Sequence, residues 1–236
     1  LDERDFLTAL QAVAYRIKAE LIPQPMAARA MERLLRDAFQ DEDVLDLDEG
    51  SARTIAGAAL EMAEDEFGLL VAQGARQVSF VHRVIGDHLA GLHLAGLEVV
   101  DQLATFAARY SDPAWTDVLL AALSAQTNQH QTADLLDHVF TVAGDPAETP
   151  AEDVSSLGES WPQADLKSHA ALRFAGAAMA ADIKLPPRKA KEFLDQLVLT
   201  VERSTSLELR DVLLTALAGS SATDACRPTT LFGVPG

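Results

Sequence analysis

Residues 66–96 read EFGLLVAQGARQVSFVHRVIGDHLAGLHLAG, and the fold turns on how this stretch is divided. Leu69, Leu70 and Val71 form a short apolar run, and Ala72-Gln73-Gly74-Ala75 has the composition of a turn. Val78, Phe80 and His82 then take alternate positions. Two short runs around a glycine-bearing turn predict a β-hairpin. From Arg83 the apolar residues change to helical spacing, interrupted by Arg83 itself, Asp87, His88 and His93. His82, His88 and His93 fall within twelve residues, which raises a metal site or a catalytic base as the first chemical question.

Upstream of the hairpin lie three helical patterns. Phe6, Leu10, Val13, Ile17 and Leu21 share one face and predict a helix from Phe6 to Leu21, ended by Pro23 and Pro25. The prolines pre-set a second helix, Met26 to Phe39, with Met31, Leu34, Leu35 and Ala38 inward. The acidic run DAFQDEDVLDLDEG, Asp37 to Gly50, reads as a solvated loop from Asp41 on. Ser51 is the expected cap of a third helix, Ala52 to Phe67, which Gly68 interrupts. Three helices and a small hairpin are the parts of a winged-helix domain, here assigned to residues 1–95.

Beyond Arg83 the pattern is wholly helical, with helices expected at 83–95, 97–109, 114–125, 129–142, 163–181, 187–202 and 206–218. Breaks fall at Ser111 to Pro113, Gly144 to Ser156 and Leu185 to Pro187. Helices of this length joined by short turns predict stacked pairs resembling HEAT repeats, with an irregular bundle left open because no repeat is visible in the letters. Residues 96–143 are the first such repeats, 144–160 a linker or long loop, 161–218 further repeats with Trp161 as a docking residue, and 219–236 an irregular tail. The expected fold class is mainly α: a winged-helix domain with one small β-hairpin, followed by HEAT-like helical repeats.

Composition narrows the function. Hydrophobic residues make up 48% of the 236, enough for a proper core, while aromatics at 6% leave that core to Leu, Ala and Val. Thirty-six acidic residues against 19 basic give a net charge of -17, which repels phosphate backbones and anionic membranes. The single cysteine, Cys226, forms no internal disulfide and points to a reducing, cytoplasmic setting. No apolar run approaches the roughly 18 residues of a membrane span. Leu1 in place of methionine and the open end PTTLFGVPG read as a piece of something larger.

The candidate chemistries thin out on inspection. His82 and His88 are six residues apart and His88 and His93 five, offsets that do not stack successive histidines on one helix face. HExxH is absent, so no metal ligand is assigned. There is no GxSxG, and Cys226 stands in the tail beside Arg227, so no catalytic nucleophile is assigned. The EF-hand glycine and glutamate do not fall in register from Asp41. No GxxxxGK followed by Ser or Thr occurs, so no loop here cradles a nucleotide, and the chain alone is not expected to hydrolyse ATP.

One resemblance is specific. The stretch from Glu66 to Gly96 looks like the end of the winged-helix domain of NACHT-type NTPases, within the STAND class of signalling ATPases. In that family a helix ends in Gly-Leu-Leu, a polar turn follows, and a strand ends in Phe-x-His. The helix opened by that histidine runs close to Arg, Ser or Thr, then Phe-Gln-Glu-Tyr-Leu-Ala-Ala. This chain has Gly68-Leu69-Leu70, Phe80-Val81-His82, Arg83 and His88-Leu89-Ala90. It departs at Gly86-Asp87, where the family has Gln-Glu, and at His88, where the family has an aromatic. Trp115 to Leu123, WTDVLLAAL, resembles the helix that commonly opens the repeats after such a domain. The good resemblance covers about residues 60 to 125.

The resemblance implies that His82 reaches an ADP phosphate in the full-length protein and helps hold a closed, inactive state. A structural histidine capping the next helix is the alternative. The implied function is the regulatory region of a NACHT-like NTPase, with its own upstream NTPase domain as partner, ATP or ADP with Mg bound there, a protein or ligand trigger on the repeats, and an oligomer on activation. The rival is a free-standing helical-repeat scaffold for a protein partner. A winged-helix regulator binding DNA comes last, because the third helix carries Arg53 against Glu61, Glu64, Asp65 and Glu66, whereas a reading helix needs cations toward phosphates. The chain is therefore expected to leave duplex DNA unshifted at physiological salt. A salt-sensitive shift at low protein concentration in an electrophoretic assay would overturn this.

Overall fold

The computed structural model describes residues 2–74, 76–143, 163–181, 183–203 and 214. The expected linker at 144–160, Trp161, Cys226 and the tail 219–236 lie outside these residues, as does the helix expected at 206–218 apart from Leu214. Among the described residues the chain is mainly α-helical, with one small, open, antiparallel three-stranded sheet. It divides into two compact units: residues up to Glu98 together with Asp117–Ala125, and Val99–Thr116 together with residues from Gln126 onward.

The first unit begins with α1, Glu3–Ala19, whose N-terminus is closed by Asp2 accepting the Asp5 N–H at 2.7 Å. Glu3 and Asp5 lie in its first turn and Arg16 and Lys18 in its last, as the helix dipole favours. Phe6, Leu10, Val13 and Ile17 are buried, as their spacing predicts. The helix ends earlier than expected. Ile22 N–H turns back to the Ile17 carbonyl at 3.0 Å, and Leu21 adopts φ 54° in a Schellman-type turn.

Met26 and Ala27 correct the expected second helix. They form strand β1, which pairs antiparallel with β3, Gln77–Phe80, in the register Met26↔Val78 and Ala27↔Gln77. Pro25 brings no N–H to this pairing, and beside it the Gln24 side-chain Oε1 accepts the Phe80 N–H at 3.1 Å. Helix α2, Ala28–Gln40, follows directly and buries Met31, Leu34, Leu35, Ala38 and Phe39. Helix α3, Glu49–Glu61, is capped by Asp48 and not by Ser51. The Asp48 carboxylate takes the N–H groups of Gly50 and Ser51 and the Ser51 hydroxyl at 2.6 Å. These bonds, the hydroxyl first, hold the Asp48 carboxyl below its ordinary pKa. Ala52, Ala56 and Ala59 form the buried stripe of α3, and a π-helical turn, Met62–Glu66, carries the chain toward the hairpin.

Strand β2, Leu70–Gln73, pairs with β3 from Leu70↔Phe80 to Gln73↔Gln77, giving the sheet order β1-β3-β2. The return strand stops at Phe80, short of His82, with Val78, Ser79 and Phe80 all buried. Helix α4, Arg83–Gly96, makes its main packing against α1. Helix α6, Thr116–Ala125, reaches α4 at Gly91. A Cβ there would lie 2.5 Å from the Ala121 Cβ, 2.6 Å from the Val118 carbonyl oxygen and 2.9 Å from the Ala122 nitrogen. The two backbones approach closely because neither brings bulk to the crossing.

The second unit holds α5, Val99–Arg109, a 3₁₀ turn at Pro113–Trp115, α7, Gln129–Ala143, α8, Gln163–Ala180, and α9, Pro187–Arg203. Phe106 meets Phe174 edge-on with centroids 6.1 Å apart, and Phe140 stacks on Phe193 at 5.5 Å. Trp115 is buried, with the Arg109 guanidinium 5.1 Å from its ring centroid. Gln102 is buried, and its Oε1 accepts from the side-chain amides of Gln126 and Gln131 at 2.9 and 3.3 Å. Lys189 bonds Asp137 at 2.8 Å, tying α9 to α7 and raising the lysine pKa.

Gly91 and Gly57 make a matched pair for testing the α4–α6 crossing. Gly91→Ala is expected to destabilise the protein by about 1–3 kcal/mol, because backbone must move to admit the methyl group. Gly57→Ala, within α3 and with nothing within 4 Å of its new Cβ, is expected to stabilise by roughly 0.5–1 kcal/mol. Urea denaturation decides it; a Gly91→Ala midpoint equal to the parent's would mean that α4 and α6 do not cross there.

Candidate functional site

The site is built where β3 gives way to α4. Val81 N–H pairs with the Leu69 carbonyl at 3.0 Å, extending the ladder one step past Phe80. His82 follows in extended backbone, φ -139° and ψ 142°, as the N-cap of α4. Its carbonyl accepts the Ile85 N–H at 3.0 Å, while its side chain makes no capping hydrogen bond and is exposed. The capping alternative for His82 therefore applies only to its backbone.

The next turns of α4 are unusually constrained. A Cβ on Gly86 would lie 2.9 Å from the Phe80 ring, so the last residue of β3 rests against this glycine. Asp87, one position on, is buried between helices. Lys18 Nζ, from the last turn of α1, bonds its Oδ1 at 2.6 Å. Its Oδ2 is sealed from solvent and has no hydrogen bond, although Arg83 Nε stands at an ion-pair distance of 3.4 Å. The charges attract, but at this separation no hydrogen bond is closed. Arg83 also reaches Asp117 of α6, with Nη2 3.7 Å from Oδ2.

The three histidines are not brought together. His82 and His88 are exposed, and His93 is half-buried with its ring 5.1 Å from that of Tyr15 in α1. Burial lowers the His93 pKa, opposed more weakly by the Asp41 carboxylate. Among the described residues, no three of His, Cys, Asp and Glu converge as metal ligands. The acids of the loop after α2 serve the backbone. Asp41 Oδ1 accepts the Asp43 N–H at 3.0 Å, the Asp41 carbonyl takes the N–H groups of Val44, Leu45 and Asp46, and Asp48 caps α3. On α3 and its π-turn, Glu61, Asp65 and Glu66 are exposed, with Arg53 on the same helix.

The sequence singled out His82, with Arg83 and Asp87 as neighbours fitting a helix that is part core and part domain contact, and gave Lys18 no role. Its only sign was a charged residue directly after the buried Ile17. The partner lies 69 positions away, a separation that periodicity does not register. No family model matches the chain, and no curated protein or solved structure matches it either.

His93 gives this region a pH dependence whose sign follows from its lowered pKa. Above about pH 6.5, the ordinary value for the unfolded chain, histidine is neutral in both states and the full contribution is present. As pH falls through that value the unfolded chain takes up the proton first, so stability is lost toward the folded pKa. Urea denaturation at pH 7.5 and 5.5 is expected to show a larger acid-side loss for the parent than for His93→Gln. Parallel loss in both would remove His93 as the source.

Proposed function

We propose that the chain is the regulatory region of a NACHT-like STAND signalling NTPase, comprising a winged-helix latch and the first HEAT-like helical layers of a sensor. The element order α1-β1-α2-α3-β2-β3, with the hairpin returning beside β1, supports the winged-helix part: a three-helix core with a small wing. The helix pairs of the second unit support the helical-repeat part. The upstream partner would be the NTPase domain of the same protein, holding ATP or ADP with Mg, and the repeats would receive a protein or ligand trigger, with oligomerisation on activation.

The single observation carrying this reading is His82. It stands exposed at the exit of the hairpin, with its ring uncommitted to the cap it occupies. A histidine so placed can donate to a phosphate, and an adjacent anion would favour its protonated form. Its work would be that of a contact present in one state and absent in the other. The scaffold reading shares the helical layers but gives His82 no task. The DNA-binding reading meets the exposed Glu61, Asp65 and Glu66 of the helix that would enter the groove.

His82→Ala in the intact protein tests the reading. Losing one charge-assisted hydrogen bond of about 1.5–3 kcal/mol is expected to speed ADP release roughly 10- to 100-fold if the contact exists only in the closed state. His88→Ala, exposed on the next turn and a half, is expected to release ADP at the parent rate. Equal rates for His82→Ala and the parent would leave His82 an ordinary surface residue. A phosphate-binding loop in the sequence preceding Leu1 is the cheaper discriminator from the scaffold.

A further inference from the structure

Arg83 stands between two carboxylates and completes a hydrogen bond to neither. Its Nε is 3.4 Å from Asp87 Oδ2 and its Nη2 3.7 Å from Asp117 Oδ2, and its side chain is 72% exposed. Charge-assisted N–H···O bonds close to about 2.7–2.9 Å, so both contacts are held open. Meanwhile Asp87 Oδ2, on a side chain only 4% exposed, lacks any hydrogen-bond donor. An unbonded oxygen on a buried charge is costly, and the nearest remedy is small. Arg83 precedes Asp87 by four residues on the same helix, the spacing at which side chains meet. Asp117, from the first turn of α6, offers the same guanidinium a second carboxylate.

We propose that Arg83 is a two-position ion-pair switch. In one position its guanidinium closes on Asp87 Oδ2 and releases Asp117; in the other it swings to Asp117 and leaves Asp87 to Lys18. The 2.6 Å bond from Lys18 to Oδ1 makes the second position tolerable, because the buried carboxylate keeps a counter-charge in both. The structure holds Arg83 between the two, with each contact stretched. The input is the charge on Asp117, half-exposed at the start of α6: a basic side chain of a partner that takes up Asp117 drives Arg83 onto Asp87. The output is the first turn of α4, immediately after His82. The switch stands apart from the nucleotide reading of His82, and its readout is separate from ADP release.

The measurement is solvent exchange of the Arg83 Nε–H, followed by NMR on the whole chain. Asp117→Asn removes the competitor at an exposed position, and exchange is expected to slow by about tenfold or more as the group closes on a buried acceptor. Lys18→Met should drive the same closure from the other side, by leaving Asp87 with Arg83 as its only cation. Adding Asp87→Asn to Asp117→Asn should restore fast exchange. Unchanged or faster exchange in Asp117→Asn would overturn the switch, as would protection that survives loss of Asp87.

Discussion

A carboxylate lies inside the seam between α1 and α4, and the first unit is arranged around neutralising it. Removing Asp87 from water costs several kcal/mol before any partner is counted. Lys18 offsets this with a short bond, and its position in the last turn of α1 is also where the helix dipole favours a cation. One lysine thus serves both the helix that carries it and the helix it faces. A hydrophobic pair would fill the same space without the desolvation penalty. The ion pair adds registry: α1 and α4 can slide only by separating Lys18 from Asp87, whereas apolar contacts tolerate small shifts.

The same helix α4 is fixed at three further points, each by a different physical device. Gly86 leaves room for the Phe80 ring, so the sheet settles against the helix start. Gly91 lets the α6 backbone approach to a distance no side chain allows. His93 packs its ring on Tyr15, near the end of the seam. Glycine in a helix interior is worse than alanine by roughly 1 kcal/mol. α4 bears that cost twice, and both times the missing methyl group is matched by a neighbour that occupies its place.

This division of labour explains what the letters disclosed and what they did not. Helical periodicity reports the face that is buried, and it located α1, α2, α4 and the helices through Arg203 to within a few residues. It does not report pairing across distance. Met26 and Ala27 looked helical because Met31 and Leu34 follow at the right spacing, and nothing local announces that two residues will pair with Val78 and Gln77. Asp48 and Ser51 are both good caps, and the choice depends on which carboxylate or hydroxyl meets the first free N–H groups. Gly86 and Gly91 read as weak helix formers until Phe80 and α6 are placed beside them. Of the candidate site, His82 stood out from its order after the hairpin, and Arg83 and Asp87 only as neighbours on the following helix; Lys18 and Asp117 come from other helices and were not paired with them.

His82 differs from all of these positions in being poorly suited to the fold. Ser, Thr, Asp or Asn at an N-cap stabilises a helix by about 1 kcal/mol over a residue that does not cap. Asp2, Asp48 and Asp112 do this elsewhere in the chain. At the start of α4 that device is absent, as it is at Ala27 before α2, and at α4 an exposed imidazole stands in its place. Local choices that serve the fold agree across levels, and at this cap His82 departs from that agreement, its side chain making no capping hydrogen bond.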